Sequence, residues 1–201
     1  MRVLGIVGSM RRNRNTETLV RRVISEMEAV SSSLTSELVQ TPELTCQPCR
    51  VVCHDANCSA HLFRCAIADD VMLVLEKMTS ADVLVIGAPQ YFRGPPAGFH
   101  AMIERMISMA YFYESATFSD QNSPFAGKPC GLVGVAEYSN PQEILEYLHD
   151  FCLLLGMQPV TLSSFPYLGV GGHGKLEKDD VFHPFGRARE MAVELISAVE
   201  S

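Results

Sequence analysis

The fold is decided by the stretch Val3-Leu4-Gly5-Ile6-Val7-Gly8-Ser9-Met10-Arg11-Arg12-Asn13-Arg14-Asn15-Thr16. An apolar run from Val3 to Val7 predicts a strand, a polar loop follows Gly8, and apolar residues recur at helical spacing after Thr16. A strand that feeds a helix through a polar turn is the first unit of an open α/β sheet. Such a turn lies at the carboxyl end of the strand, where the N–H groups of a helix N-terminus attract anions. A phosphate site is therefore predicted here.

The rest of the chain repeats this alternation of strand and helix. Apolar runs predict further strands at residues 34–39, 83–87, 130–136 and 159–165. Helical spacing predicts helices at about 15–30, 69–80, 96–109, 141–156 and from 184 to the end. With right-handed crossovers, this order favours an α/β flavodoxin-like three-layer sandwich, with a five-stranded parallel sheet (order 2-1-3-4-5) and helices on both faces. Residues 166–183, including the Gly-rich run 171–175, are expected to form a surface loop.

Composition narrows the class of protein. At 201 residues, with 47% hydrophobic and 19% charged residues, the chain is expected to be a single domain, residues 1–201, with a sizeable core. The formal net charge of −7 argues against a nucleic-acid partner, because a surface that follows a phosphate backbone is normally basic. No apolar run approaches the roughly 18 residues of a membrane span, and no signal-peptide profile is seen. A cytoplasmic protein that binds no membrane is expected.

The polar loop after the first strand is suited to a single phosphate. It lacks the Gly-Lys-Ser/Thr ending of nucleoside-triphosphate loops and the glycine spacing of dinucleotide-binding turns. It offers neutral hydrogen-bonding groups and one charge-assisted donor, which is enough for a phosphomonoester. These candidate phosphate ligands are Ser9, Arg11, Asn13, Asn15 and Thr16.

This loop resembles the FMN phosphate loop of the NADPH-dependent FMN reductase family, whose pattern is Gly-Ser-Pro-Arg, a short variable stretch, and Asn-Thr. The later run Gly87-Ala88-Pro89-Gln90-Tyr91-Phe92 is similar to that family's Gly-Ser-Pro-Val-Tyr-Phe loop, which lies along the isoalloxazine ring. The resemblance covers nearly the whole chain in the correct order. It departs at Met10, where the family usually has proline, and at Arg14, where glycine is common. The resemblance implies an FMN-binding protein.

The resemblance also implies which residues contact the FMN ring. A second loop would lie against the ring, and a third loop, usually Gly-rich in the family but Glu137-Tyr138-Ser139-Asn140 here, would close its other side. These candidate ring contacts are Pro89, Gln90, Tyr91, Phe92, Gly94, Ala136, Glu137 and Tyr138. A flavin needs a flat apolar slot, which the aromatic pair of the second loop fits. Taken alone, Tyr91 and Phe92 fit equally well as aromatic residues that cap the core.

Seven cysteines are many for a chain of this size, and five fall in a cysteine-rich loop at about 45–66. In a reducing compartment such clustering indicates metal or redox chemistry rather than disulfides. The segment resembles the iron-sulfur flavoproteins, which carry FMN and a [4Fe-4S] cluster. Their spacing is two, two, then four to seven residues, against two, three and four here. The implied ligands are Cys46, Cys49, Cys53 and Cys58, with Cys65 as the alternative fourth ligand.

Two alternatives for the cysteine loop stay open: four thiolates also suit zinc, and the loop can be unoccupied or partly oxidised. Cys130 and Cys152 lie in apolar patterns and are expected in the core. No histidine has an evident catalytic partner in the sequence, so no catalytic acid or base is assigned.

The leading hypothesis is an electron-transfer FMN-dependent oxidoreductase with a [4Fe-4S] cluster. The resemblance implies ferredoxin or NAD(P)H as electron donor and assembly into a homodimer or homotetramer. One alternative is an NAD(P)H-dependent FMN or quinone reductase without a cluster. Another is a non-catalytic flavin- or zinc-binding redox sensor.

Overall fold

A parallel sheet forms the centre of the computed structural model, which describes residues 1–50, 65, 67–106, 123–176 and 180–200. In this part of the chain the order is β2-β1-β3-β4-β5, as the sequence predicts, and a sixth strand pairs with β4. The strands are β1 (Arg2–Val7), β2 (Thr35–Gln40), β3 (Val83–Pro89), β4 (Pro129–Ala136), β5 (Gln158–Pro159) and β6 (Val170–His173). Both β3 and β4 are buried along their whole length, as expected for the middle of a parallel sheet.

Helices cover both faces of the sheet. They are α1 (Asn15–Val30), α2 (Val71–Ser80), α3 (Ala97–Glu104), α4 (Gln142–Leu154) and α5 (Pro184–Glu200), with a 3-10 turn at Thr41–Glu43. One buried cluster joins α1 and α5 to one face of the sheet, and a second joins α2, α3 and α4 to the other. The predicted flavodoxin-like three-layer sandwich is confirmed.

The prediction of a fifth strand at 159–165 is wrong in its extent. β5 contains only Gln158 and Pro159, and the same side of β4 is then paired by β6. Pro159 lacks the N–H that would continue a ladder, and the chain leaves the sheet after Val160. It returns at Val170, so part of the predicted loop 166–183 is a strand. Gly169 makes this return possible, because a Cβ there would lie 2.4 Å from the Leu132 carbonyl oxygen.

Most helix boundaries match the predictions within two residues. The exception is α3, predicted at 96–109, which ends at Glu104, while residues 107–109 lie outside the described part of the chain. Cys130 and Cys152 are fully buried, as predicted. Among the described helices, none has the length and hydropathy needed to cross a membrane.

The strand register brings three loops to one edge of the sheet. Val7 pairs with Gly87 and Gly87 pairs with Val133, so β1, β3 and β4 end at similar heights. Two backbone hydrogen bonds continue the pairing beyond the strands, from Gly8 N–H to the Gly87 oxygen (2.7 Å) and from Gln90 N–H to the Val135 oxygen (2.7 Å). The loops that follow these strands therefore start side by side, where ligands bind in open α/β sheets.

Lys128 closes the carboxyl end of α2, and its replacement by methionine should lower stability. Its ammonium donates to the carbonyl oxygens of Met78 (2.7 Å), Thr79 (2.8 Å) and Ala81 (2.5 Å). Lys128→Met leaves these acceptors without a charged donor at the negative end of the helix. The expected loss is about 2 kcal/mol in the free energy of unfolding, measured by urea denaturation.

The control for this prediction is Lys77→Met in the last turn of the same helix. Lys77 forms a surface ion pair with Glu37, so its loss should cost at most about 0.5 kcal/mol. Equal losses in the two variants would contradict the role given to Lys128.

Candidate functional site

The loop between β1 and α1 folds on itself through Ser9. The buried Ser9 hydroxyl donates to the Arg11 carbonyl oxygen (3.1 Å) and accepts from Arg11 N–H (3.2 Å). Asn13 has a φ of 53°, in the left-handed region that asparagine tolerates better than most residues. The loop therefore turns tightly before α1 begins at Asn15.

Glu17 anchors this loop, and sequence reasoning missed it. Its side chain is buried and accepts hydrogen bonds from Asn13 N–H (2.7 Å) and from Arg21 Nε (2.8 Å). Glu17 stands three residues after Arg14, the residue that precedes α1. That is the position where glutamate commonly reaches back to backbone N–H groups before a helix, so this spacing was the available signal.

The charge of Glu17 predicts a pH-dependent contribution to stability. Burial alone would raise its pKa, but the hydrogen bonds from Asn13 and Arg21 and the charges of Arg21 and Arg12 outweigh burial and lower the pKa below its ordinary 4.5. A carboxyl whose pKa is lower in the folded state stabilises the fold above pH 4.5 and loses this effect as pH falls through the folded pKa. Glu17→Gln should therefore lower the melting temperature at about pH 7.

The same comparison at acidic pH completes the test. The difference in melting temperature between wild type and Glu17→Gln should shrink as pH falls from 4.5 through the lower pKa of the folded state, because the wild-type carboxyl becomes protonated over this range. A difference that stays constant across this range would contradict an ionised Glu17.

The second loop contains a tight turn with two left-handed residues. Tyr91 and Gly94 exchange backbone hydrogen bonds of 2.8 and 3.0 Å, and the residues between them, Phe92 and Arg93, have φ values of 48° and 69°. Non-glycine residues in this region each cost about 1 kcal/mol. The turn is held in place by contacts made elsewhere in the loop.

Gln90 makes those contacts by joining the second loop to the third. Its amide donates to Ser139 Oγ (3.0 Å) and to Glu143 Oε2 (2.8 Å), and its oxygen accepts from Ile144 N–H (3.3 Å). Arg93 forms an ion pair with the other oxygen of Glu143 (2.5 Å). The Gln90 side chain thus braces the loops against the first turn of α4.

The three loops, together with Gly174 after β6, surround a cavity of about 310 Å³. Eight of the thirteen predicted cofactor contacts line it: Ser9, Arg11, Asn15, Thr16, Pro89, Gln90, Tyr91 and Glu137. Sequence reasoning did not assign three further lining residues, Arg14, Val135 and Gly174. Gly174 follows β6, so it enters the site because that unpredicted strand brings it to the edge of the sheet.

Five predicted contacts lie elsewhere. Asn13, Gly94 and Ala136 support the loops without lining the cavity, and Ala136 is buried in β4. Phe92 and Tyr138 are almost fully exposed, at the tips of the second and third loops. Asn15 lines the cavity but its amide donates to the carbonyl oxygens of His173 (3.3 Å) and Gly174, so it also fastens α1 to β6.

The chemistry of the lining fits FMN. Two guanidinium groups, from Arg11 and Arg14, and the Thr16 hydroxyl gather at the start of a sixteen-residue helix, a donor set suited to a phosphate. The Ser9 hydroxyl also lines the cavity, with its proton directed to the Arg11 carbonyl oxygen. Pro89, Tyr91 and Val135 supply apolar surface suited to a flat ring.

A family model described as NADPH-dependent FMN reductase matches residues 1–166. The chain belongs to the NADPH-dependent FMN reductase family. The match contains β1 to β5 and all three loops around the cavity. The family resemblance seen in the sequence is therefore confirmed.

Relatives of this FMN reductase family member carry the name iron-sulfur flavoprotein. The one from Methanocaldococcus jannaschii is 27% identical over 188 residues, covering 90% of this chain and 89% of the relative. The one from Archaeoglobus fulgidus is 27% identical over 209 residues, covering 100% of this chain and 96% of the relative. A crystal structure of RosB, 17% identical, superimposes with a TM-score of 0.75 over 100% of this chain and 79% of RosB, which supports the fold.

The cysteine segment of this FMN reductase family member is described in part. Cys46, Cys49 and Cys65 are half-buried free thiols, whereas Cys53 and Cys58 lie outside the described residues. Burial, followed by the charges of Asp69 and Asp70, raises the pKa of the Cys46 thiol to about 11. Within the described ranges, no three His, Cys, Asp or Glu side chains are grouped closely enough to hold a metal ion.

Proposed function

We propose that this protein is an FMN-dependent oxidoreductase that transfers electrons between FMN and a [4Fe-4S] cluster. The observation that carries the proposal is the cavity at the ends of β1, β3 and β4, whose lining combines phosphate donors with apolar surface. Membership of the FMN reductase family supports the flavin. The iron-sulfur flavoprotein relatives support the cluster.

The residues around the cavity would bind and orient FMN. Ser9, Arg11 and Thr16 would hold its phosphate. Asn13 and Asn15, which the family pattern also puts around the phosphate, would in addition shape the loop. Pro89 and Tyr91 would face the ring. Bound FMN supplies reversible one- and two-electron chemistry, and the share of the protein is to fix the ring and exclude competing reactions.

The remaining contacts implied by the family pattern belong to the mouth of the site. Gln90 would keep the second and third loops at a fixed separation through Ser139 and Glu143. Glu137, which lines the cavity, would lie against the ring. Phe92, Gly94, Ala136 and Tyr138 do not line the cavity, so they would support the loops around the ring rather than contact it.

The cysteine segment would hold the cluster through Cys46, Cys49, Cys53 and Cys58, with Cys65 as the alternative fourth ligand. A cubane cluster takes four thiolates and supplies one-electron transfer. Thiolates are soft ligands of the kind that bind iron–sulfur clusters, so the sulfur atoms of Cys46, Cys49 and Cys65 are chemically suited to iron. The electron donor would be ferredoxin or NAD(P)H, and the protein would act as a homodimer or homotetramer.

Anaerobic purification tests this function directly. The expected protein is brown and contains FMN with about four irons and four sulfides per chain. Yellow protein without iron after anaerobic reconstitution would overturn the cluster. Colourless protein that does not bind added FMN would overturn the flavin site.

The family description favours one second candidate, an NAD(P)H-dependent FMN or quinone reductase without a cluster. The two candidates differ in their response to NADPH. Rapid bleaching of the flavin spectrum by NADPH in iron-free protein would favour the reductase. Reduction by ferredoxin alone would favour electron transfer through the cluster.

A further inference from the structure

Arg105, directly after α3, is a buried arginine at the cysteine segment. Its side chain is 0% exposed, as is that of its ion-pair partner Asp69, at 2.7 Å. It also donates to the carbonyl oxygens of Gln47 (3.1 Å) and Ile67 (3.3 Å) and to Cys65 Sγ (3.1 Å). One guanidinium therefore contacts both described parts of the cysteine segment, on either side of residues 51–64.

Asp69 completes this contact from the other side. Its carboxylate accepts from Gln47 N–H (2.9 Å) and Val71 N–H (3.2 Å) in addition to Arg105. Both backbone groups of Gln47 are thus fixed by the ion pair, N–H by Asp69 and C=O by Arg105. Gln47 lies between Cys46 and Cys49, so the pair fixes the backbone that carries these two cysteines.

The end of α3 makes a further contact with the segment. Glu104, the residue before Arg105, accepts a hydrogen bond from Cys49 N–H (3.2 Å). Cys46 packs against the same core cluster that contains Met102 and Met106. Three of the five clustered cysteines are therefore tied to one place in the fold.

We propose that Arg105, held by Asp69, is the positioning residue of the cysteine segment, because the pair fixes the backbone of Gln47 between Cys46 and Cys49 and Arg105 also binds the Cys65 thiol. That this placement serves a thiolate-bound metal group rests on the proposed function, since Cys46, Cys49 and Cys65 alone are not grouped closely enough to hold a metal ion. A fully buried charge pair is a costly way to stabilise a fold, and apolar residues of similar volume often do as well. A planar guanidinium, however, can bind a carboxylate, two carbonyls and a thiol in fixed directions at once. The need for several hydrogen bonds in fixed directions explains why position 105 holds an arginine rather than an apolar residue.

Arg105→Lys and Arg105→Met test the proposal, with Arg187→Met as the matched control. Arg187 is also a buried arginine that donates to backbone carbonyls, those of Ser164 (2.5 Å) and Phe165 (2.6 Å). It serves the loop after β5 and has no contact with the cysteine segment among those described. Asp69→Asn provides a second variant on the partner side, in case Arg105→Met does not fold.

The first readout is hydrogen exchange in the metal-free protein. Arg105→Met and Asp69→Asn should speed exchange of the Gln47 amide at least tenfold relative to amides of β3, with a smaller effect for Arg105→Lys. Arg187→Met should leave that ratio unchanged. Unchanged local exchange in folded Arg105 and Asp69 variants would overturn the positioning role.

The second readout is metal uptake after anaerobic reconstitution with iron and sulfide, and separately with zinc alone. Arg105→Met should lose at least three quarters of the metal bound by wild type, with Arg105→Lys intermediate and Arg187→Met unaffected. The bound metal also identifies the group as cluster or zinc. Full loading of Arg105→Met with an unchanged electron paramagnetic resonance spectrum would overturn the proposal.

The FMN affinity of each variant separates this inference from the proposed function. All variants should bind FMN within about twofold of wild type, because Arg105 does not line the FMN cavity. If wild type binds FMN but takes up neither metal, the metal part of both proposals is wrong. Hydrogen exchange then decides the positioning role alone.

Discussion

Replacing Arg11 with glutamine is expected to weaken FMN binding about 10- to 100-fold. Arg11 lines the cavity beside the buried Ser9, and its guanidinium forms no ion pair with any residue that the structure describes, whereas Arg12 pairs with Glu43. A charged hydrogen bond to a phosphate contributes about 1.5 to 3 kcal/mol, which corresponds to that range of affinities. Flavin fluorescence quenching during titration of the flavin-free protein measures the dissociation constant.

Arg12→Gln is the matched control for Arg11. Arg12 neighbours Arg11 in the chain but pairs with Glu43 at 3.0 Å and does not line the cavity. Its loss should change FMN affinity less than threefold. Riboflavin, which lacks the phosphate, should bind wild type and Arg11→Gln equally. A parallel loss of riboflavin affinity would show that Arg11 does not act through the phosphate.

The second large effect is expected for Gly87→Ala in the middle of the sheet. A Cβ at Gly87 would lie 2.5 Å from Val20 Cγ2 and 3.1 Å from Thr16 Cγ2, both on α1. Val20 is buried and β-branched, so its side chain has no other favourable rotamer that would make room for the added methyl group. Helix α1 must therefore move away from β3. The expected loss is about 3 kcal/mol in the free energy of unfolding, measured by urea denaturation.

Gly87→Ala should also weaken FMN binding, because Thr16 lines the cavity and moves with α1. The control is Gly186→Ala in the first turn of α5, where a Cβ would meet nothing within 4 Å. That variant should keep wild-type affinity, and its stability should be unchanged or raised by up to about 1 kcal/mol. Similar losses in both variants would contradict the steric argument.

Features local in sequence could be predicted, and most predictions of this kind are confirmed. The apolar run 83–87 indicated a strand buried on both faces, and it lies in the centre of the sheet. The polar loop after Val7 indicated an anion site, and four of its five candidate ligands line one cavity. Their binding to FMN stays a prediction, as do the cluster ligands.

Features that depend on distant residues could not be predicted. Because β5 and β6 both pair with β4, the chain leaves the sheet for the ten residues 160–169 and then comes back to it. No local sequence pattern marks this return at Val170. Arg105 and Asp69 are separated by 36 residues, and Gln90 and Glu143 by 53. Hydrogen bonds over such separations depend on the folded chain, so the sequence indicates Gln90 as a ring contact but not the bonds by which its side chain braces α4.

The split edge of the sheet also limits how copies of this chain can associate. In the described sheet, β5 and β6 offer two and four residues, interrupted by the excursion at 160–169. An intermolecular β-sheet needs a longer unbroken row of backbone donors and acceptors, and short edge strands are a recognised protection against aggregation. Association of two copies at this edge would therefore have to depend on complementary side chains and not on backbone pairing. Point substitutions can change such side chains without disturbing the sheet.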